Sequence, residues 1–143
     1  MSQSTVIELS VPATHRFLNV VGACVAEMLY RLDDIEDVDT VAHDVQLAVH
    51  EICTNIVDHA YDENQKVNGR IGIRLSFEEA KGMLKVRLID AGRKFNPDDA
   101  VQPRLGEAQV RGFGLFLTHQ IMDIVKYDRK ADENIWFLEK KIC

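Results

Sequence analysis

Two neighbouring segments of the chain alternate apolar and polar residues, and they constrain the fold more than any other feature. They read RIGIRLSFE (residues 70–78) and MLKVRLID (residues 83–90), and a short gap with Lys81 and Gly82 separates them. A period of two is typical of strands that bury one face, and a short gap containing glycine is typical of a hairpin. The sequence therefore predicts two strands joined by a tight turn.

The first third of the chain predicts a strand and two helices. Alternation from Thr5 to Val11 predicts an opening strand that Pro12 ends. Apolar residues at helical spacing predict a first helix over about 14–32, with a buried stripe of Phe17, Val21, Cys24, Met28 and Leu32. The same spacing predicts a second helix over about 39–61, with a buried stripe of Val45, Val49, Ile52, Ile56 and Ala60.

The rest of the chain predicts one more helix and a closing hairpin. The segment 91–111 has little periodicity, a third helix follows Gly112 and Gly114, and 124–129 and 134–142 predict the last two strands. This order of elements predicts an α+β two-layer sandwich, with a mixed, mostly antiparallel sheet and helices on one face. A chain of 143 residues suits a single domain, which we take as 1–143.

Composition and charge exclude several classes of protein. The chain is 46% hydrophobic and 28% charged, as in ordinary globular domains. Its net charge of −6 argues against a nucleic-acid or anionic-membrane surface. Polar residues interrupt the apolar run 17–32, so we predict no membrane span, and we recognise no signal peptide. Three cysteines without a C-x-x-C motif indicate reduced thiols and a cytoplasmic location.

The second predicted helix carries a carboxylate and an amide one turn apart. Glu51 and Asn55 lie roughly 40° from each other around a helix and share a polar stripe. An amide oxygen can hold Mg²⁺, and a carboxylate one turn away can take a proton from a hydroxyl. The pair can equally be part of a solvated helix face. His43, His50 and His59 share this helix, and we interpret them as spread around its surface rather than as metal ligands.

Two further segments contain candidate nucleotide-binding residues. Asp90 ends a hydrophobic strand and can accept a hydrogen bond from an amine such as adenine N6, while Gly92 would let a flat base approach the backbone. The same residues also suit an ordinary turn. Gly112 and Gly114 begin the third helix, whose backbone N–H groups can bind phosphate, and Arg111 adds a positive charge.

Together, the three segments resemble the GHKL ATPase superfamily, which has the histidine-kinase-like ATPase fold. Within it, the chain is similar to anti-sigma factor serine-protein kinases of the RsbW and SpoIIAB type. HEICTNIVDHAY matches the N-box of this family, DAGRKF its first glycine box, and RGFGLFLTHQIMD its second. The resemblance covers nearly the whole chain.

The resemblance implies a role for each matching residue. Asn55 would bind Mg²⁺, and Glu51 would be the general base that activates a serine of the partner protein. Asp90 would bind the adenine amine of ATP, with Gly92 beside it. An ATP lid would span about 93–111, and the end of the lid and the helix after it would bind the nucleotide through Arg111, Gly112, Phe113, Gly114 and Leu115.

The resemblance also implies partners. The protein would phosphorylate a serine on a STAS-domain anti-anti-sigma antagonist, sequester a sigma factor and form a homodimer. The chain departs from the family in its last hairpin, where many relatives carry a G-T pair and this sequence reads DENIWFLEKK. Two other functions stay open: a nucleotide-binding switch without catalysis, and a protein that activates a partner phosphatase. The retained Glu51 favours a kinase, because binding alone needs no base.

Overall fold

The computed structural model describes residues 4–61, 69–95 and 114–143. Strand β1 (Ser4–Pro12) precedes a 3-10 turn (His15–Phe17), helix α1 (Leu18–Tyr30) and helix α2 (Val38–Asn55), which continues into a π-helical turn (Ile56–Ala60). Strands β2 (Arg70–Glu78) and β3 (Met83–Asp90) come next. Helix α3 (Gly114–Ile121), strand β4 (Ile124–Lys130) and strand β5 (Glu133–Lys141) complete the described elements.

The five strands form one sheet in the order β1-β2-β3-β5-β4. All four pairings in it are antiparallel, as the hairpin β2–β3 predicts. The α+β class and the mostly antiparallel sheet are confirmed. The described strands contain no parallel pair, so the sheet is more regular here than the mixed sheet we expected.

One face of the sheet carries the core. Its inward residues are apolar and buried, and they include Ile71, Ile73, Leu75, Phe77, Leu84, Val86, Leu88, Trp136 and Leu138. Helix α2 packs between α1 and α3. Each residue of its predicted stripe, from Val45 to Ala60, is buried, which confirms that prediction.

The other face of the sheet is polar and faces solvent. Arg74 pairs with Glu8 across β1 and β2 at 2.6 Å, and Lys85 pairs with Glu78 at 3.0 Å. The Arg87 guanidinium lies over the Phe137 ring, 5.2 Å from its centroid. Only one face of the sheet therefore builds a core, and the two-layer arrangement is confirmed.

The buried stripe of α1 differs from the predicted one. Residues 15–17 form a 3-10 turn, and the α-helix begins at Leu18. The buried side is therefore shifted by about one residue, and it includes Leu18, Val21, Val25, Met28 and Leu29. Phe17 is 36% exposed instead of buried. Among the described helices, α1 included, none has the length and apolar character needed to cross a membrane.

The closing hairpin sets the register that matters for the site. Ala131 and Asp132 have φ values of 51° and 64°, as in the two-residue turns that match the twist of a hairpin. This turn starts β5 so that Asn134 pairs with Asp90 across the sheet. The predicted turn between β2 and β3 is also present, with Gly82 in the left-handed region at φ 61°.

Candidate nucleotide-binding site

Asp90 is a buried carboxylate with one unpartnered oxygen. It is the last residue of β3 and only 2% exposed. Its Oδ1 accepts hydrogen bonds from the Asn134 amide at 2.8 Å and from the Gly92 N–H at 2.9 Å. Its Oδ2 is buried and has no hydrogen-bond partner within the described ranges. A buried acceptor without a donor costs about 1–3 kcal/mol or more, so this oxygen is suited to a donor from a ligand.

The pKa of Asp90 is raised above its ordinary value of 3.8. Burial is the largest cause, because it disfavours the charged form. The hydrogen bonds from Asn134 and Gly92 and the positive charge of Arg129 act in the opposite direction. The site therefore holds a carboxylate whose charge is only partly compensated.

Asn55 lies at the point where helix α2 changes its winding. It is the last α-helical residue, and the π-helical turn Ile56–Ala60 follows at once. The predicted helix to Tyr61 was thus nearly right in length but wrong in its winding over the last turn. Short π-helical segments are frequent at functional sites, because they redirect side chains. Here the turn brings His59 and Ala60 to the same cavity as Asn55.

A small cavity with about 10 Å³ of enclosed space, room for about one water, lies between this turn and the sheet. Asn55, His59, Asp90, Arg93, Phe95, Asn134 and Trp136 are among the residues that line it. Phe95 packs edge-on against Trp136 and Tyr127, with ring centroids 5.1 and 5.6 Å apart. The cavity thus combines apolar aromatic walls with a few polar groups, as small-molecule sites do.

Glu51 lies one turn before Asn55 on α2 and does not line this cavity. Its side chain is half-buried. In the part of the chain that the structure describes, neither a hydrogen bond nor an ion pair engages its carboxylate. Glu51 and Asn55 therefore follow each other along the helix, with Asn55 at the cavity and Glu51 about 6 Å of helical rise away.

Gly92 approaches the π-helical turn more closely than any side chain would allow. A Cβ built on it would lie 2.2 Å from the Ala60 carbonyl oxygen. The next residue, Arg93, donates its backbone N–H to that oxygen at 2.7 Å. The close approach that this glycine makes in the structure is thus to the backbone of the π-helical turn.

Several predicted site residues fall outside the described ranges. These are Arg111, Gly112, Phe113 and residues 96–111 of the predicted lid. Gly114 is the first residue of α3, and Leu115 packs partly buried against the core. The structure thus brings Asp90 and Asn55 together around one cavity, with Gly92 hydrogen-bonded to Asp90 and Glu51 one turn from Asn55.

Asn134 is the site residue that the sequence analysis missed. It lies on β5, in the last hairpin, and it is 2% exposed. Its amide donates to Oδ1 of Asp90, so the aspartate has a buried polar partner on β5. The available signal was its position on the inward side of β5, two residues before the buried Trp136. A polar side chain among inward apolar positions needs a partner in the core.

The histidines of α2 are arranged differently from our expectation. His43 and His50 both line a groove between α1 and α2, because seven residues are close to two full helical turns. They are therefore not spread around the helix. The rise between them is about 10 Å, too far to share an ion. The described ranges contain no cluster of three or more metal-ligating side chains.

Comparison with known proteins agrees with this geometry. The family described as the histidine kinase-like ATPase domain matches residues 11–139, which is most of the chain.

The chain belongs to the histidine kinase-like ATPase family.

Relatives in this family point to one group. A protein named serine-protein kinase RsbW from Halalkalibacterium halodurans is 35% identical over 145 residues, which covers 93% of this chain and 80% of the relative. A serine-protein kinase RsbW from Bacillus subtilis is 31% identical and covers 84% of this chain and 76% of the relative. Within the ATPase family, the chain thus belongs with RsbW-like anti-sigma factor serine kinases.

Solved structures share the ATPase fold. The crystal structure of the RsbU and RsbW domains of a Mycobacterium tuberculosis protein aligns with a TM-score of 0.69 at 17% identity. That alignment covers 96% of this chain and 32% of the longer one. A blue-light activated histidine kinase of Erythrobacter litoralis aligns with a TM-score of 0.57 at 18% identity, over 92% of this chain and 42% of that one.

Proposed function

We propose that this protein is an ATP-dependent serine-protein kinase and anti-sigma factor. It phosphorylates a serine of a STAS-domain anti-anti-sigma protein and sequesters a sigma factor. The observation that carries the proposal is the buried, unpartnered Oδ2 of Asp90 in a cavity that Asn55 also lines. The names of relatives at 35% and 31% identity supply the class of reaction.

Two features of the cavity lining match the chemistry of adenine. Oδ2 of Asp90 is an acceptor without a donor, and the exocyclic amine of adenine is a donor. The rings of Phe95 and Trp136 give a flat base an apolar surface. Asp90 therefore binds the amine of the base, and the phosphates leave the cavity along α2.

Asn55 and Glu51 follow in the order that phosphoryl transfer requires. Asn55 holds Mg²⁺ through its amide oxygen, because magnesium prefers hard oxygen ligands and keeps substrate phosphates in its shell. When bound, the ion neutralises charge on the phosphates. Glu51 lies one turn before Asn55 on the helix, away from the cavity. This order suits a nucleotide whose base lies in the cavity, whose phosphates lie near Asn55 and whose terminal phosphate lies near Glu51.

Glu51 acts on the hydroxyl of the partner serine. The serine oxygen forms a bond to the γ-phosphorus while the bond from that phosphorus to the β–γ bridging oxygen breaks, and ADP leaves. Glu51 accepts the hydroxyl proton. A general base of this kind typically raises the rate of the chemical step about 10²–10⁴-fold. A loose transition state demands little from the base, so the effect should lie toward the lower end of that range.

The partners are proteins rather than nucleic acids or membranes. A net charge of −6 gives no attraction to anionic surfaces. We propose that the protein acts in the cytoplasm, as a homodimer, on a sigma factor and its antagonist.

The test is transfer of label from γ-labelled Mg-ATP to STAS-domain proteins encoded near this gene. Single-turnover rates are compared for the wild type, Glu51→Gln and Asp44→Asn. Asp44 is an acidic, half-buried residue on the same helix, two turns before Glu51, and serves as the matched control. We expect Glu51→Gln to bind ATP normally and to transfer phosphate slowly, while Asp44→Asn transfers at the wild-type rate.

Two outcomes would contradict the proposal in different ways. A wild type that binds ATP and transfers nothing to any STAS-domain protein is a switch, or an activator of a partner phosphatase, rather than a kinase. Equal rates for the wild type and Glu51→Gln would leave the kinase in place and remove Glu51 as its base.

A further inference from the structure

Asn134 of β5 holds a central position among the polar groups around Asp90. The pairing of β3 with β5 places the two residues opposite each other, and both are 2% exposed. One amide group serves two acceptors: Nδ2 of Asn134 donates to Oδ1 of Asp90 at 2.8 Å and to the carbonyl oxygen of Arg93 at 2.8 Å. Both donor hydrogens of this amide are thus in use.

Arg129 determines which way the Asn134 amide points. Its guanidinium lies 3.1 Å from Oδ1 of Asn134 and 2.6 Å from the Gly92 carbonyl oxygen. A guanidinium can only donate, so it requires the oxygen side of the amide. The Tyr127 hydroxyl also donates to this oxygen. The nitrogen side must therefore face Asp90.

The fixed amide leaves the two carboxylate oxygens of Asp90 in different states. Oδ1 accepts from Asn134 and from Gly92, whereas Oδ2 has no partner among the residues described. A carboxylate that could rotate would exchange these two oxygens. Because two donors hold Oδ1, Oδ2 remains the atom available to a ligand.

We propose that Asn134 is a positioning residue for nucleotide recognition, which holds Asp90 so that Oδ2 meets the exocyclic amine of adenine and rejects the carbonyl oxygen of guanine. This inference rests on the proposed ATP binding. Rejection follows because Oδ2 is an acceptor, and the Asn134 amide has no free hydrogen to offer to guanine O6. A site built to pair one polar group discriminates strongly against a ligand that leaves it unpaired.

The same arrangement predicts a pH signature. Burial raises the pKa of Asp90, while the Asn134 hydrogen bond, the Gly92 N–H and the Arg129 charge lower it, and Glu133 raises it. Among the described residues, the other titratable or charged groups around this site are Tyr61, Tyr127, His59 and Arg93. Removing the Asn134 donor should raise the pKa of Asp90 further. ATP binding needs the carboxylate. As the pH is lowered, binding should therefore be lost at a higher pH in such a variant than in the wild type.

The experiment is calorimetric titration of the full chain with Mg-ATP and Mg-GTP across a pH series. Asn134→Asp keeps the volume and the contact with Arg129 but replaces the donor toward Asp90 by an acceptor. Asn134→Ala removes the whole amide. Asn19→Asp, at an exposed position of α1, makes the same chemical change away from the cavity and is the control.

We expect both Asn134 variants to bind ATP about ten-fold or more weakly at neutral pH, since a hydrogen bond to a charged group is lost. The acid-side midpoint of ATP binding should move to higher pH in both, further in Asn134→Asp, where two carboxylates adjoin. The preference for ATP over GTP should shrink. Asn19→Asp should match the wild type in each measurement. If Asn134→Ala fails to fold, Asn134→Asp decides.

A folded Asn134→Asp protein with wild-type ATP affinity and an unchanged pH midpoint would overturn the inference. Weaker affinity with an unchanged midpoint would also count against it, because a merely structural loss does not move the titration of Asp90. A wild type that does not bind ATP overturns both this inference and the proposed function. A wild type that binds ATP without transferring phosphate contradicts only the kinase.

Discussion

A Cβ on residue 92 would lie 2.2 Å from the carbonyl oxygen of Ala60, so Gly92 packs directly against the π-helical turn that follows Asn55. This contact joins the end of strand β3 to the end of helix α2. The two ends carry Asp90 and Asn55, so the glycine sets how closely the two sides of the cavity approach each other.

Replacing Gly92 by alanine should therefore destabilise the fold. The obstructing atoms belong to the backbone of Ala60, which cannot rotate away, and overpacking of this kind costs about 1–3 kcal/mol. Gly72→Ala is the matched control, because its Cβ would meet only the Ile89 carbonyl oxygen, at 3.8 Å. Urea unfolding should show a loss for Gly92→Ala and little change for Gly72→Ala. If the two variants were equally stable, the π-helical turn would have to move aside and make room for the added Cβ.

Asp90→Asn should weaken ATP binding. An amide turns a donor toward the donor of adenine, and losing a hydrogen bond to a charged group costs about 1.5–3 kcal/mol, or ten-fold and more in affinity. Calorimetry on the folded variant measures this. Asp128→Asn, at an exposed position of β4, changes the net charge equally and should bind like the wild type. Unchanged affinity in Asp90→Asn would remove this residue from the site.

Asp90 should also make stability depend on pH in a characteristic direction. Its pKa is raised in the folded protein above the ordinary 3.8, so the folded state holds this proton more tightly than the unfolded chain. The free energy of unfolding should then fall as pH rises from 3.8 through the raised pKa. Asn does not titrate, so the free energy of unfolding of Asp90→Asn should not fall for this reason. Relative to the wild type, the variant should become more stable as the pH rises over that interval. Parallel curves in urea titrations at several pH values would contradict the raised pKa.

Asn55→Ala should remove the part of ATP binding that depends on magnesium. The amide oxygen is the proposed ligand, so phosphoryl transfer should collapse and Mg-ATP affinity should fall. The internal control is ATP binding with EDTA present, where the variant and the wild type should agree. The side chain is only half-buried, so the melting temperature should change little. A variant that unfolds would indicate a structural role for Asn55 instead.

The three thiols should differ widely in reactivity. Cys53 is fully buried, which raises its pKa to about 12, whereas Cys143 is exposed and Cys24 lies between them. Because the thiolate is the reactive form, Cys143 should react with a thiol reagent first, and Cys53 only after denaturation. Mass spectrometry of the alkylated native protein should locate the label. Rapid labelling of Cys53 without denaturant would show that the core opens more easily than its packing implies.

Periodicity was enough to predict most of the elements. The apolar residues that alternate in 70–78 and 83–90 are buried, and so is the helical stripe from Val45 to Ala60, as predicted. These patterns are local, because every second or every third to fourth residue must be apolar to reach one core. The helix α1 shows where this reasoning stops, since a 3-10 turn before Leu18 shifts the buried side and leaves Phe17 exposed.

The sequence by itself determined the class of fold, the family and the candidates Glu51, Asn55, Asp90 and Gly92, because those depend on residue type and spacing along the chain. Only the tertiary structure decided that Asn134 partners Asp90, 44 residues away, and that Gly92 packs on Ala60. The first contact depends on the register of β3 and β5, and the second on the change of helix winding after Asn55. Such contacts join distant segments in space, and no periodic pattern along one segment encodes which buried polar group will meet another.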